Sequence, residues 1–440
     1  MRTSRMRASL TGLLAVCATA MASDAWAQGA ETSLKVDAAD TAWVLIASAF
    51  VLAMIVPGLA LFYGGLVRRK NVLGTIMHSF AILCLVSVLW ILLGYSLAFG
   101  PDKWGLIGGL EWAGLRGVGF APHPAYGPTI PHQVFMIFQM MFAAITPALI
   151  TGAFAERMKF GAMMLFSGLW FVLVYCPVAH WMWGGGWLGQ WGALDFAGGV
   201  VVHLTSGTAA LVCACVLGQR HGYGADYMAP HNLPMVLLAT GLVWFGWFGF
   251  NAGSALGANQ IAVVAFLSTH TAAVTAGLAW MAIEWAHRGA PTVLGLASGI
   301  VAGLATVTPS AGYVGPFAAM AIGLVAGGLS YIAVIKKGRW GYDDSLDVVG
   351  IHGVGGVFGV LATGLFASRA VNAGGADGLL AGNPGLLGVQ AVAVVVVVLF
   401  SGVMTWLLLK AIDRFVGLRV APEQESMGLD LSQHNERAYS

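Results

Sequence analysis

Eleven long apolar stretches run through this chain of 440 residues and restrict what it can fold into. They lie near residues 42–66, 72–99, 131–153, 160–181, 199–218, 233–252, 260–284, 292–309, 313–335, 348–367 and 386–410. About 20 apolar residues in a helix cross the hydrocarbon core of a bilayer, and in lipid a helix satisfies all its backbone hydrogen bonds internally. Only 9% of residues are Asp, Glu, Lys or Arg and 58% are hydrophobic, whereas soluble domains carry roughly a quarter charged residues. The expected fold is therefore an all-α membrane protein with eleven transmembrane helices. A net charge of +2, with no dense Lys/Arg cluster, gives no footing for a nucleic-acid partner.

Charge placement sets the expected topology. Residues 1–27 read as a cleavable signal peptide: Arg2, Arg5 and Arg7 precede an apolar run from Leu10 to Ala22, and Ala25-Trp26-Ala27 supplies small residues for cleavage. A short extra anchor is the alternative, but the run is about half a spanning length. Residues 28–416 form the membrane domain and 417–440 a C-terminal tail, which composition by itself reads as solvated. With the N-terminus outside and eleven spans, Arg68, Arg69, Lys70, Arg157, Lys159, Arg220, Arg288, Lys336, Lys337 and Arg339 all fall inside, as does the C-terminus. The outer segments hold only Lys35, Lys103, Arg116 and Arg369, in accord with the positive-inside rule. Cys84, Cys176, Cys213 and Cys215 lie within apolar segments, and Cys17 lies in the signal; none has the spacing of a metal or redox site.

A faint duplication divides the spans five plus five. The fifth span follows Asp195 and carries His203; the tenth follows Asp347 and carries His352. Five spans per half would invert the second copy, giving a pseudo-two-fold repeat with a substrate path between the halves. The 61 glycines, dispersed through the spans, suit close helix packing in lipid.

His203 and His352 are the first candidates for chemistry, because an ionisable side chain inside a membrane faces a cavity or a partner. A structural histidine bonded to a backbone carbonyl is the alternative for either one, and their matching places in the two halves favour function. Buried side by side, two imidazoles could accept hydrogen bonds from a small solute or relay one proton. His78, His132, His180, His231 and His270 have no counterpart and are assigned to structure. The run from Trp244 to Ser254 closes the sixth span with aromatic faces beside a hydroxyl, a composition that suits a cation vestibule or an interfacial aromatic belt. Phe138 and Phe142 share a helix face; stacked phenyl rings across a narrow pore would bar hydrated ions, although lipid-facing phenylalanine is commoner. Asp195 reads as a helix N-cap with a through-space effect on a cation.

Taken together, Pro57-Gly58-Leu59-Ala60-Leu61-Phe62-Tyr63-Gly64-Gly65-Leu66, Asp195-Phe196-Ala197-Gly198-Gly199, Gly246-Trp247-Phe248-Gly249-Phe250-Asn251-Ala252-Gly253-Ser254 and Val349-Gly350-Ile351-His352-Gly353 make a specific set. With these stretches the chain resembles the ammonium transporter, methylammonium permease and Rhesus family, in its bacterial ammonium transporter branch, over nearly the whole mature chain. The resemblance implies an eleven-helix homotrimer in a cell inner membrane, with one pore per subunit, no cofactor and no enzymatic activity. It implies an ammonium site at Phe142, Trp183 and Ser254, a phenyl gate at Phe142 and Phe250 with Trp247 beside it, twin pore histidines at His203 and His352, and an outer acid at Asp195. It further implies that the tail couples subunits and that a PII-type nitrogen signalling protein docks on the cytoplasmic face. Two departures from the family's usual pattern are Thr205-Ser206-Gly207 after His203 and Ser345 where proline is frequent.

The expected mechanism holds ammonium, or methylammonium as its analogue, outside, removes a proton near the gate, passes ammonia along the histidines and returns a proton inside. The alternatives are a Rhesus-like neutral gas channel, an ammonium sensor and, from another class, a membrane haem or metal protein using the histidines as ligands.

Overall fold

The computed structural model describes residues 34–439; the signal-peptide assignment and Cys17 lie outside them. Among the described residues, eleven helices are long and apolar enough to span a membrane. They are α1 (Ala38–Leu66), α2 (Arg69–Phe99), α3 (His132–Phe154), α4 (Phe160–Gln190), α5 (Gly199–Leu217), α6 (Leu233–Gly253), α7 (Gln260–Arg288), α8 (Val293–Ser310), α9 (Pro316–Lys336), α10 (Val349–Phe366) and α11 (Pro384–Phe415). Each falls on a stretch expected from the sequence, and the protein is a multi-pass membrane protein. The largest differences are at helix ends. The fourth span continues past Trp183 through a short turn of helix at Trp187–Gln190, and the eleventh runs on to Phe415. Within α1 the helix breaks at Val56 (φ −134°, ψ 114°), directly before Pro57, because proline lacks the N–H and its ring crowds the preceding residue. Between α2 and α3 the chain forms two small hairpins, β1 (Asp102–Lys103) with β2 (Ile107–Gly108) and β3 (Pro122–His123) with β4 (Gly127–Pro131).

The two halves repeat at a fixed offset. His203 and His352 are 149 residues apart and in contact. The same offset relates Gly207 to Gly356 and Leu204 to Gly353, and these four residues make reciprocal contacts where α5 and α10 cross. A Cβ on Gly207 would lie 2.2 Å from the Gly353 backbone, and one on Gly356 would lie 2.9 Å from the Leu204 backbone nitrogen. Only glycine permits that approach, which brings the two histidine-bearing helices together. Both helices also open with a wide π turn holding the histidine, at Gly199–Leu204 and Val349–Gly353. Such turns shift the side chains that follow out of ordinary helical register.

The repeat corrects one assignment. The counterpart of Asp195 is Asp344, not Asp347. Asp195 accepts from the backbone N–H groups of Gly198, Gly199, Val200 and Val201, and Asp344 accepts from that of Val349. Asp347 instead has φ +64° and binds the Lys337 ammonium. Sequence proximity to His352 favoured Asp347; the lead-in loop that turns back from it could not be read from spacing.

The tail packs against its own chain, which overturns the solvated reading drawn from composition. Met158 and Arg419 form a backbone bridge, and Val420 donates to the Arg157 carbonyl at 3.1 Å. Two short helices follow, α12 (Pro422–Met427) and α13 (Leu429–His434). Asp430 accepts from the Gly74 N–H at 2.7 Å, the Leu429 N–H reaches the Asn71 amide oxygen at 2.8 Å, and the His434 ring meets Phe160 edge-on. Beneath the tail lies a buried ionic chain: Glu156 pairs with Arg68 and Arg220, and Arg220 with Asp343. The Arg157 guanidinium beside it is fully buried and held by carbonyls and by the Ser345 hydroxyl at 2.7 Å. Ser345 thus supplies a hydrogen bond that proline could not.

Candidate functional site

Two cavities lie in line along the bundle, on either side of a cluster of rings. The first and roomier one opens at the end of the bundle away from the tail and is lined by Phe142, Trp183, Asp195 and Ser254 among others. The second, a narrow one, lies towards the tail end and is lined by apolar side chains together with Tyr63, Trp247 and His352. Between them the rings of Phe142 and Phe250 stack with centroids 4.2 Å apart. Phe250 in turn lies 6.0 Å from the His203 ring, and Trp247 stacks on His203 at 5.4 Å.

The vestibule geometry follows from the helix ends that form it. On α3, Phe135, Gln139 and Phe142 all line the cavity; spacings of four and three put them on one stripe. Trp183 meets Phe142 edge-on at 6.0 Å, and its indole N–H is fixed on the Asp195 carbonyl at 2.9 Å. The Ser254 hydroxyl donates to the Phe250 carbonyl at 2.8 Å, which leaves its oxygen lone pairs to accept from a ligand. Aromatic faces with a hydroxyl acceptor can replace part of the water lost by a small cation.

The histidines sit deeper. His203 is fully buried and His352 nearly so; their rings are stacked at 5.1 Å and their Nδ1 atoms lie 3.2 Å apart. That contact is a hydrogen bond only if one Nδ1 carries the proton and the other accepts it. His203 Nε2 has no hydrogen-bond partner among the described residues. Trp247, stacked on His203, donates to the Thr308 hydroxyl at 2.9 Å, and that hydroxyl donates to the Leu304 carbonyl. Thr308 thereby fixes the indole plane.

Asp195 is buried, with both carboxylate oxygens accepting from the four N–H groups that open α5. Burial raises its pKa, and those four N–H bonds oppose the rise. Its direct contacts are the orphan donors of a helix start, while its charge lies at the vestibule wall. Tyr313, which lines the same cavity, is pushed up to about 12 by burial and by the Asp195 charge.

The aromatic run on α6 divides between two faces. Trp247 and Phe250 join the ring cluster, whereas Phe248 stacks flat on Phe266 at 3.8 Å and Trp244 on His270 at 5.3 Å. Of the other histidines assigned to structure, His180 contacts the Ala98 carbonyl and Asp102, His132 the Tyr95 hydroxyl, and His231 the Val67 carbonyl, whereas His78 packs against Phe154 and Phe160 with no hydrogen-bond partner for its Nδ1 among the described residues. Gln139, Tyr126 and Tyr313 line the vestibule but had no role in the sequence reading. Gln139 had a usable signal, an amide between Phe138 and Met140 in an otherwise apolar span; the two tyrosines, in connecting segments, had none.

Comparison with known proteins places these features in context. The family model described as the Ammonium Transporter Family matches residues 42–439. An ammonium transporter of Bacillus subtilis is 53% identical over 401 residues, covering 91% of this chain and 98% of that protein. Ammonium transporter Amt1 of Archaeoglobus fulgidus is 48% identical, with 91% and 99% covered. Among solved structures, Saccharomyces cerevisiae Mep2 superposes with a TM-score of 0.83 at 38% identity, over 88% of this chain and 89% of that one. A structure described as a sensor Amt protein gives 0.82 at 30% identity, over 90% and 98%.

Proposed function

The chain belongs to the ammonium transporter family, and from that premise we propose that it moves ammonium nitrogen across a cell inner membrane through the path between its two cavities. The family consists of transporters and channels, not enzymes. Ammonium binds in the vestibule against Phe142, Trp183 and Ser254, with the Asp195 charge helping through space. At the Phe142–Phe250 gate an N–H bond breaks with its electron pair left on nitrogen, and the proton passes either back to vestibule water or onto the His203–His352 imidazoles. Ammonia passes the pair and takes a proton on the far side from the imidazoles or from water. One observation carries this reading: the stacked Phe142 and Phe250 rings lead onto the paired histidines, of which His352 lines the apolar second cavity.

Moving an intact ammonium ion into an apolar passage leaves an unpaired buried charge, opposed by several kcal/mol or more. Deprotonation removes that penalty. Potassium, of similar size, has no proton to lose and is excluded. The tail end is the cytoplasmic end, supported by the ten Lys and Arg residues assigned to that side. The protomer acts within a homotrimer, and an apolar hollow between α1 and α7 lined by Trp43, Val263, Phe266 and Leu267 is consistent with a subunit contact. A PII-type regulator docks on the tail face.

Ammonium-evoked current in proteoliposomes is the deciding measurement. Current that saturates with ammonium supports charge-coupled transport. Ammonia flux without current favours the Rhesus-like neutral channel, and neither favours the sensor. His203→Asp or His352→Asp is expected to abolish conduction or admit potassium; both variants behaving as wild type would defeat the role given to the pair. A purified protein with a haem spectrum or stoichiometric metal would instead favour the ligand-histidine alternative.

A further inference from the structure

We propose that Gln139 is an additional ligand of the vestibule cation, its side-chain oxygen accepting an N–H from ammonium one helical turn above the gate. This rests on the ammonium reading above and assigns a further residue to its binding step. Gln139 is 8% exposed, lines the vestibule, and has an amide oxygen with no hydrogen-bond partner among the described residues. Its position three residues before Phe142 on the same stripe of α3 points it at the cavity that Phe142 closes.

The other polar groups around the vestibule narrow the choice of acceptor. Both Asp195 oxygens are committed to backbone N–H groups. The Trp183 indole is a donor already engaged with a carbonyl, and the Tyr126 hydroxyl donates to the Gly184 carbonyl. Ser254 has spent its proton on Phe250 and offers lone pairs. Gln139 offers a carbonyl oxygen of the kind that buried sites normally satisfy. An amide carries an acceptor and two donors that exchange by rotation of its terminal torsion; ammonium has four donors and no acceptor, so it selects the oxygen. Two oxygens and two aromatic faces then surround a tetrahedral cation.

The test measures ammonium and methylammonium transport, as current or as internal pH change, against concentration in proteoliposomes of wild type, Gln139→Met and Gln139→Glu. Methionine keeps the volume and removes the acceptor. We expect Gln139→Met to raise the half-saturating ammonium concentration about tenfold, equivalent to about 1.4 kcal/mol, with maximal current within about twofold of wild type, because the contact serves binding and not the later steps. Methylammonium has three N–H donors in place of four and should be affected less, by about threefold. Gln139→Glu restores an acceptor and should bind ammonium at least as tightly as wild type. Unchanged half-saturation in Gln139→Met overturns the assignment; so does an equal loss for both substrates with lowered maximal current that Gln139→Glu does not repair. Should Gln139→Met fail to assemble, Gln139→Glu decides alone: affinity below wild type sinks the proposal, and affinity at or above it supports it. Wild-type protein that carries no ammonium defeats the transport reading itself, whereas conducting wild type with an indifferent Gln139→Met defeats only the ligand.

Discussion

A single carboxylate illustrates how much one residue does at the vestibule. Asp195 satisfies four N–H groups that would otherwise be buried without partners. Asp195→Asn keeps one acceptor oxygen and loses the charge, so it is expected to destabilise the protein by about 1–3 kcal/mol, read as a lowered thermal midpoint in detergent, together with weaker ammonium affinity. A midpoint unchanged with affinity lost would assign the residue to charge alone. Its cap role could be read in sequence because Asp precedes a helix start; for Gln139 the signal, an amide in an apolar span, says that some partner exists but not which one. Phe250→Ala removes one face of the 4.2 Å stack and should let water and potassium into the gate, measurable as a potassium current that wild type lacks.

At the scale of helices, the crossing of α5 and α10 positions the histidine pair. Gly207→Val would place a Cβ 2.2 Å from the Gly353 backbone, and overpacking of that kind typically costs about 1–3 kcal/mol and shifts the backbone. Lost ammonium conduction with the protein still extractable and folded is the expected result. Wild-type conduction would mean that the crossing can spread without separating His203 from His352. The Thr205-Ser206-Gly207 departure has a local account here. Thr205 and Ser206 bond back to carbonyls of the preceding turn, and the Ser401 hydroxyl of α11 donates to the Thr205 carbonyl. The glycine was visible in the sequence as one of many; its partner across the crossing was not.

For the whole molecule, the tail end combines a docked tail with a buried ionic chain. Asp430→Ala removes the acceptor for the Gly74 N–H and should release the tail, detected as faster proteolysis near residue 430 while the membrane domain stays intact. Asp344 gives this end a pH dependence. Burial raises its pKa to about 6, against the lowering effect of Lys337 and with a further rise from the Asp347 charge. A raised carboxyl pKa favours the protonated folded state, so its stabilising contribution is full below the ordinary aspartate range and is lost as pH rises through about 6. Wild type should therefore lose thermal stability from pH 4 to pH 7 by an increment that Asp344→Asn abolishes; an identical slope in the variant would remove Asp344 as its source.

The amino-acid sequence alone determined the solvent and the number of spans and singled out His203 and His352 as candidates, because hydropathy, charge placement and rare polar residues in apolar helices are local properties of the chain. Only the tertiary structure decided that Asp344 and not Asp347 mirrors Asp195, that the tail folds back on the helix ends, and that Gln139 faces the vestibule. Each depends on a contact between segments far apart in sequence, where loop direction and helix crossing set the partner, and no periodicity within one segment encodes that.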